Sequence, residues 1–191
     1  MKRIAVFCGS SEGASSIYME HARLLGKELA NRQLELVYGG SCLGLMGAVA
    51  TSMLEAGGKV IGVLPEFLQA KEIAHPNLTE LILVKTMHER KAKMMELADG
   101  FITLPGGAGT MEEFFEIFTW TQLGLHKKPI GILNIHHYYD PLVHLIHHMA
   151  DTAFLQEQYR NIAIVDADSI SLLNQFYTYQ SPGIKTFSST N

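Results

Sequence analysis

The sequence predicts a single α/β domain with a doubly wound, mainly parallel sheet. Two patterns and the length carry this reading. Short β-rich runs alternate with helical stretches almost from end to end. The runs are largely continuous in apolar residues, as in parallel strands covered on both faces. A length of 191 residues suits one domain, and roughly 70% of the unfolded surface can be buried at this size. Alternating β and α elements imply right-handed crossovers and therefore a Rossmann-like architecture.

Taken in order, strands are expected at residues 4–8, 34–38, 60–64, 81–85, 101–104, 130–135 and 162–165. Tyr18, Ala22, Leu25 and Leu29 share one helix face, and Leu142, Leu145, Ile146 and Met149 share another. Residues 65–79 are a long connection without clear periodicity, which makes them a candidate lid. One helix begins near Met87 and another opens at Thr110. The second runs through Phe114, Phe115, Ile117, Phe118 and Trp120, apolar around most of its circumference. Such a helix is deeply buried or packs on a partner, so it is a candidate dimer face. The domain is expected to span 1–180, with 181–191 a flexible or loosely docked tail.

Composition narrows the function. Hydrophobic residues make up 47% of the chain and charged residues 18%, as in an ordinary soluble globule. The formal charge of −4 and the lack of clustered Lys and Arg argue against a nucleic-acid surface. The apolar run after Met1-Lys2-Arg3 is too short for a signal peptide or a membrane span. Cys8 and Cys42 form neither a zinc pattern nor a disulfide framework. A cytoplasmic protein acting on a small molecule is expected.

In a doubly wound sheet, ligands sit where strand ends lead into helices. Three such turns are glycine-rich: Gly9-Ser10-Ser11-Glu12-Gly13, Gly39-Gly40-Ser41-Cys42-Leu43-Gly44, and Pro105-Gly106-Gly107-Ala108-Gly109-Thr110. Neither of the first two matches the dinucleotide fingerprint, so NAD has no positive support. The third is the sharpest. Its glycines let backbone N–H groups approach a ligand, and the following helix N-terminus favours an anion. Thr110-Met111-Glu112-Glu113 is also a capping box, which needs no ligand. Three glycines at a strand end favour the phosphate cradle.

Arg90 shares a helical stripe with Met87, Met94 and Leu97. A guanidinium there either meets an anion or lays its stem on apolar surface with its head in water. His144, His147 and His148, with His136 and His137 nearby, lack the spacing and acidic or cysteine partners of a metal site. Surface histidines account for them, and no metal is expected.

Together, Pro105-Gly106-Gly107, Gly109-Thr110 and Glu113, with Met87-His88 and Arg90-Lys91 upstream, resemble the signature of the LOG ("Lonely Guy") family. The resemblance extends through Gly9-Ser10-Ser11, Tyr38-Gly39-Gly40, Gly44-Leu45-Met46-Gly47 and Thr119-Trp120 to about Asp140. It implies a homodimeric Rossmann-like phosphoribohydrolase that needs no cofactor. Such an enzyme cleaves cytokinin riboside 5′-monophosphates, and often AMP, to free base and ribose 5-phosphate. The implied catalytic residues are Arg90 and Glu113. The implied substrate-binding positions are Glu72, Arg90, Lys91, Gly107, Ala108, Gly109, Thr110, Met111, Glu112, Glu113 and Thr119. Gly9 and Ser10 in the first turn are further candidates. Ser41-Cys42 departs from the family pattern, in which many members carry further glycine. The alternative on the same fold is a non-catalytic nucleotide-binding or carrier module. Members are also labelled lysine decarboxylases, but the sequence offers no Schiff-base lysine or larger cofactor site that such chemistry needs.

Overall fold

The computed structural model describes residues 1–69 and 74–184. It contains a seven-stranded, wholly parallel sheet in the order β4-β3-β2-β1-β5-β6-β7. The strands are β1 (Arg3–Phe7), β2 (Glu35–Tyr38), β3 (Lys59–Pro65), β4 (Glu80–Val84), β5 (Gly100–Thr103), β6 (Ile130–Leu133) and β7 (Ala163–Asp166). Six helices connect and follow them: α1 (Ser16–Asn31), α2 (Gly44–Glu55), α3 (Met87–Leu97), α4 (Ala108–Gln122), α5 (Asp140–Asp151) and α6 (Ser169–Phe176). Every expected strand forms, with its ends within two residues of the expected ones.

Side-chain alternation divides the interior into two layers. Ile4, Val6, Leu36 and Tyr38 join one core with buried residues of α1, α2 and α6. Ala5, Phe7, Val37 and Phe101 join the other with buried residues of α3, α4 and α5. Central strands are therefore apolar on both faces, which is why they read as continuous runs. The edge strand β4 is half-exposed, with Leu81 and Leu83 in contact with solvent.

The expected all-round apolar helix is α4. Phe114, Ile117 and Phe118 on it are buried in this chain's own core, and that burial accounts for much of its apolarity. In the 65–79 connection, Glu66–Leu68 form a short 3₁₀ turn. Its far end is pinned to the turn after β2: the His75 N–H donates to the Gly40 carbonyl at 3.0 Å, and Ala74 bridges Ser41. At the C-terminal side, the Tyr159 hydroxyl donates to the Gly183 carbonyl at 2.8 Å.

Helix α1 packs on α2 through backbone. A methyl group at Gly26 of α1 would lie 2.5 Å from the Val49 carbonyl oxygen and 3.1 Å from the Met53 nitrogen. Two effects therefore oppose each other in Gly26→Ala. Helix propensity gains about 1 kcal/mol, whereas forcing two helices apart costs about 1–3 kcal/mol. Because the atom struck is backbone and cannot swing away, the variant is expected to be less stable. Chemical denaturation checks this, and an unchanged or raised midpoint contradicts it.

Candidate active site

The strand order reverses between β1 and β5, and the turns that leave these two strands diverge there. Such switch points are where open α/β sheets hold ligands. A cleft of about 590 Å³ lies at this point, lined by all three glycine-rich turns. The turns are locked together by main chain. The Gly9 N–H donates to the Pro105 carbonyl at 3.0 Å. The Leu45 and Met46 N–H groups at the start of α2 both donate to the Gly9 carbonyl. The free N-terminus of α2 thus holds the first turn in place. A methyl group at Gly106 would strike the Thr110 side chain and lie 2.8 Å from the Gly9 nitrogen, so the third turn also requires glycine.

Side chains cap α1, α3 and α6: Ser15 accepts from Ile17, Thr86 from Glu89 and Asp168 from Ser171. Helices α2, α4 and α5 have no such cap, and α4 is the one that starts at the third glycine-rich turn. It begins at Ala108, two residues before the expected start, with Gly107 at its N-cap and no side-chain cap. Thr110 is inside the first turn and buried, so Thr110 and Glu113 do not form a capping box. Gly107, Gly109 and Thr110, at the start of α4, line the cleft, with the positive end of the helix dipole behind them.

Arg90 and Lys91 are adjacent on α3, and both are buried, at 6% and 4% exposure. Successive helical residues point about 100° apart, so the two meet different partners. Lys91 Nζ pairs with Glu112 at 2.7 Å and Glu116 at 3.2 Å, tying α3 to α4. Burial pushes the Lys91 pKa down, but the two carboxylates outweigh it and the net shift is upward. In return, Lys91 holds the Glu112 carboxyl below its usual range. Among the described residues Arg90 is paired with no carboxylate. Its Nη2 donates to the Gly39 carbonyl at 3.0 Å, and its Nε–H has no hydrogen-bond partner among the described residues. A side chain at Gly39 would collide with that Nη2, which explains the glycine after β2. A buried guanidinium so sparsely satisfied at a cleft is a strong anion site.

Glu113 lines the same cleft, one helical turn beyond Thr110. Both Glu113 and Arg90 are felt at Cys8, which lines the same cleft. Burial drives the Cys8 thiol pKa well up, the Glu113 charge adds to this, and Arg90 opposes it. Cys8 is therefore a neutral thiol. Gly9, Ser10, Gly107, Gly109 and Thr110 line the cleft from its turns; Arg90, Lys91, Glu112 and Glu113 line it from its helices. Ala108 and Met111 lie in the first turns of α4 without lining it, and Thr119 is exposed on α4 away from it. Glu72 lies outside the described residues.

Sequence reasoning missed Tyr18 and Tyr138, which form an aromatic wall of the cleft with ring centroids 5.9 Å apart. The available signal was the Tyr138-Tyr139 pair just beyond β6, the strand next to β5. Among the described residues no group of His, Cys, Asp and Glu is arranged to hold a metal ion. Among them, too, no helix is long and apolar enough to cross a membrane.

The sequence model of a family described as "Possible lysine decarboxylase" matches residues 46–176. The cytokinin riboside 5′-monophosphate phosphoribohydrolase of Rhodococcoides fascians is 49% identical over 168 residues, covering 87% of this chain and 85% of that protein. Its namesake LOG7 of Arabidopsis thaliana is 44% identical over 179 residues, covering 94% and 82%. Among solved structures, the molybdenum cofactor carrier protein of Chlamydomonas reinhardtii superimposes with a TM-score of 0.70, covering 93% of this chain and 99% of that one. At 20% identity that likeness concerns the fold alone. The matched family model and the extent of identity to these relatives show that the chain belongs to the LOG family.

Proposed function

We propose that this chain hydrolyses the N-glycosidic bond of purine nucleoside 5′-monophosphates, of the cytokinin type or AMP, releasing the free base and ribose 5-phosphate. The relatives named as cytokinin riboside 5′-monophosphate phosphoribohydrolases support the reaction class. The observation that carries the reading is the pairing, across one cleft, of an uncapped helix N-terminus with the buried Arg90. A 5′-phosphate suits the amides at Gly107 to Thr110, where the helix dipole favours negative charge.

The base then departs as the C1′–N bond breaks, leaving positive charge on the sugar. The Glu113 carboxylate faces that charge and stabilises it, as carboxylates do in glycosidases. It also orients the attacking water, whose oxygen bonds to C1′ and whose proton passes to the leaving base. Arg90 holds phosphate or ribose, and binding at the phosphate end is used to place the reacting bond. Ser10 and Gly9 support the first turn beside it.

Two other readings are less well supported. The likeness to a molybdenum cofactor carrier is one of fold and lends no weight to a non-catalytic module. A pyridoxal decarboxylase needs a neutral lysine to form its Schiff base. Among the described residues Lys91 is the lysine that lines the cleft, and Glu112 and Glu116 keep it an ammonium ion. The described residues do not fit that cofactor.

The enzyme is proposed to work in the cytoplasm as a homodimer. Leu123 and Leu125, beyond the end of α4, are 45% and 64% exposed, and Thr119 lies exposed on the same helix. A second copy packed there would cover this apolar surface and bring Thr119 towards a substrate. Sedimentation at micromolar concentration is expected to give twice the chain mass; a fully active monomer would contradict the assembly.

Chromatographic assay of base release tests the activity. AMP is expected to be cleaved far faster than adenosine, because adenosine cannot use the amides of α4. Equal turnover of the two contradicts the phosphate site.

Glu113→Gln retains the shape of the residue and removes its charge. Turnover of AMP is expected to fall at least about a hundredfold with AMP binding nearly intact. A near-normal kcat would remove Glu113 from the chemistry.

A further inference from the structure

Three successive carbonyl groups lead from the β5 exit into the third glycine-rich turn, at Leu104, Pro105 and Gly106. Each accepts a hydrogen bond from a different donor. The Tyr139 hydroxyl donates to Leu104 at 2.7 Å, the Gly9 N–H to Pro105 at 3.0 Å, and the Tyr138 hydroxyl to Gly106 at 2.7 Å. A carbonyl oxygen turned toward a bound anion would repel it, so the direction of these groups matters to an anion site. The Gly106–Gly107 peptide is the one most in need of restraint. Both of its flanking residues are glycines, which offer little steric resistance to rotation of the unit. The bond is planar and trans, so fixing the Gly106 carbonyl also fixes the Gly107 N–H in the opposite direction. Gly107 is the N-cap of α4, where the amides of the proposed phosphate site begin.

The segment that delivers Tyr138 is held in an unusual conformation. His136 and His137 have φ of 49° and 62°. Two successive non-glycine residues in this region cost about 1 kcal/mol or more each, and such strain persists only where surrounding contacts impose it. Here Asn134 does so. Its side-chain carbonyl accepts from the Tyr139 N–H at 2.7 Å, and its amide donates to Asp140 at 2.7 Å. The His137 ring lies 3.2 Å from the same carboxylate. The strained turn places one tyrosine in the core and leaves its neighbour at the cleft, with Tyr139 2% and Tyr138 41% exposed.

We infer that Tyr138 is a positioning residue for the phosphate site: its hydroxyl locks the Gly106–Gly107 peptide so that the cleft presents N–H groups, not a carbonyl, to the anion. This rests on the phosphate reading given above and adds a residue that acts on affinity through the turn. Tyr139 has the structural counterpart of the role, since its buried hydroxyl secures the strand exit at Leu104.

Tyr138→Phe deletes the hydroxyl and keeps the ring. The wild type and this variant would be compared by steady-state kinetics with AMP and by thermal melting. Calorimetry would follow with AMP and adenosine in a Glu113→Gln background, which prevents turnover during titration. The KM and the dissociation constant for AMP are expected to rise about tenfold, the scale of one lost net hydrogen bond. Meanwhile kcat and adenosine binding stay within about threefold, and the melting temperature is unchanged. Unaltered AMP affinity in Tyr138→Phe would overturn the inference, as would an equal loss for adenosine, which would place the effect at the base or sugar. A fall in melting temperature that accompanies the weaker binding would assign Tyr138 to structure alone and overturn it too. If AMP binds no better than adenosine to the chain with Tyr138 intact, the phosphate reading itself fails and takes this inference with it.

Discussion

The close approach of three turns at the β1–β5 switch point is the constraint on which the cleft depends. A methyl group at Gly44 would overlap the Ser10 backbone and one at Gly106 would crowd the Gly9 nitrogen, and main-chain hydrogen bonds hold the turns at these distances. The N–H of Gly9 is given to the third turn and its carbonyl to the start of α2. The first turn therefore acts as a spacer that fixes the other two. Gly44 at φ 53° and Gly40 at φ 83° occupy the left-handed region, which glycine adopts without penalty. Local flexibility of glycine in the unfolded chain becomes rigidity in the folded one, because each turn is boxed in by its neighbours.

Into this scaffold α3 delivers two cations whose fates differ through geometry alone. Lys91 faces α4 and is neutralised by Glu112 and Glu116, i and i+4 on that helix. Arg90 faces the β2 turn, and its partners among the described residues are the Gly39 carbonyl and the Met87 sulfur of its own helix. The first cation braces two helices; the second keeps unspent hydrogen-bonding capacity at the cleft. Desolvating a guanidinium for so few bonds costs several kcal/mol. An incoming anion recovers part of that cost, which makes the site selective for negative charge rather than merely tolerant of it.

Much of this was legible in the sequence. Both-face burial wrote the central strands as unbroken apolar runs, and every strand fell where those runs predicted. Arg90 on an apolar stripe and the glycine-rich turn before a helix both line the cleft, and each stood out in the sequence because it is costly without a specific use. Other features misled locally. Thr110-Met111-Glu112-Glu113 has the composition of a capping box, yet Gly107 rather than Thr110 became the N-cap, since Ala108 and Gly109 are already helical. The all-round apolar character of α4 reflected burial in its own core as much as any external face.

What the sequence determined by itself was the α/β order, the strand positions, the glycine-rich strand exits and the family signature running from Gly9 to Glu113. All of these are set by windows of a few residues, where side-chain period and backbone freedom decide the outcome. Only the tertiary structure decided which charges neutralise one another and which carbonyls are covered. Arg90 and Gly39 are 51 residues apart, Tyr138 and Gly106 are 32 apart, and Lys91 and Glu112 are 21 apart. A buried polar group must find its partner in space, and proximity across a sheet's switch point is created by the crossovers, not by any local pattern.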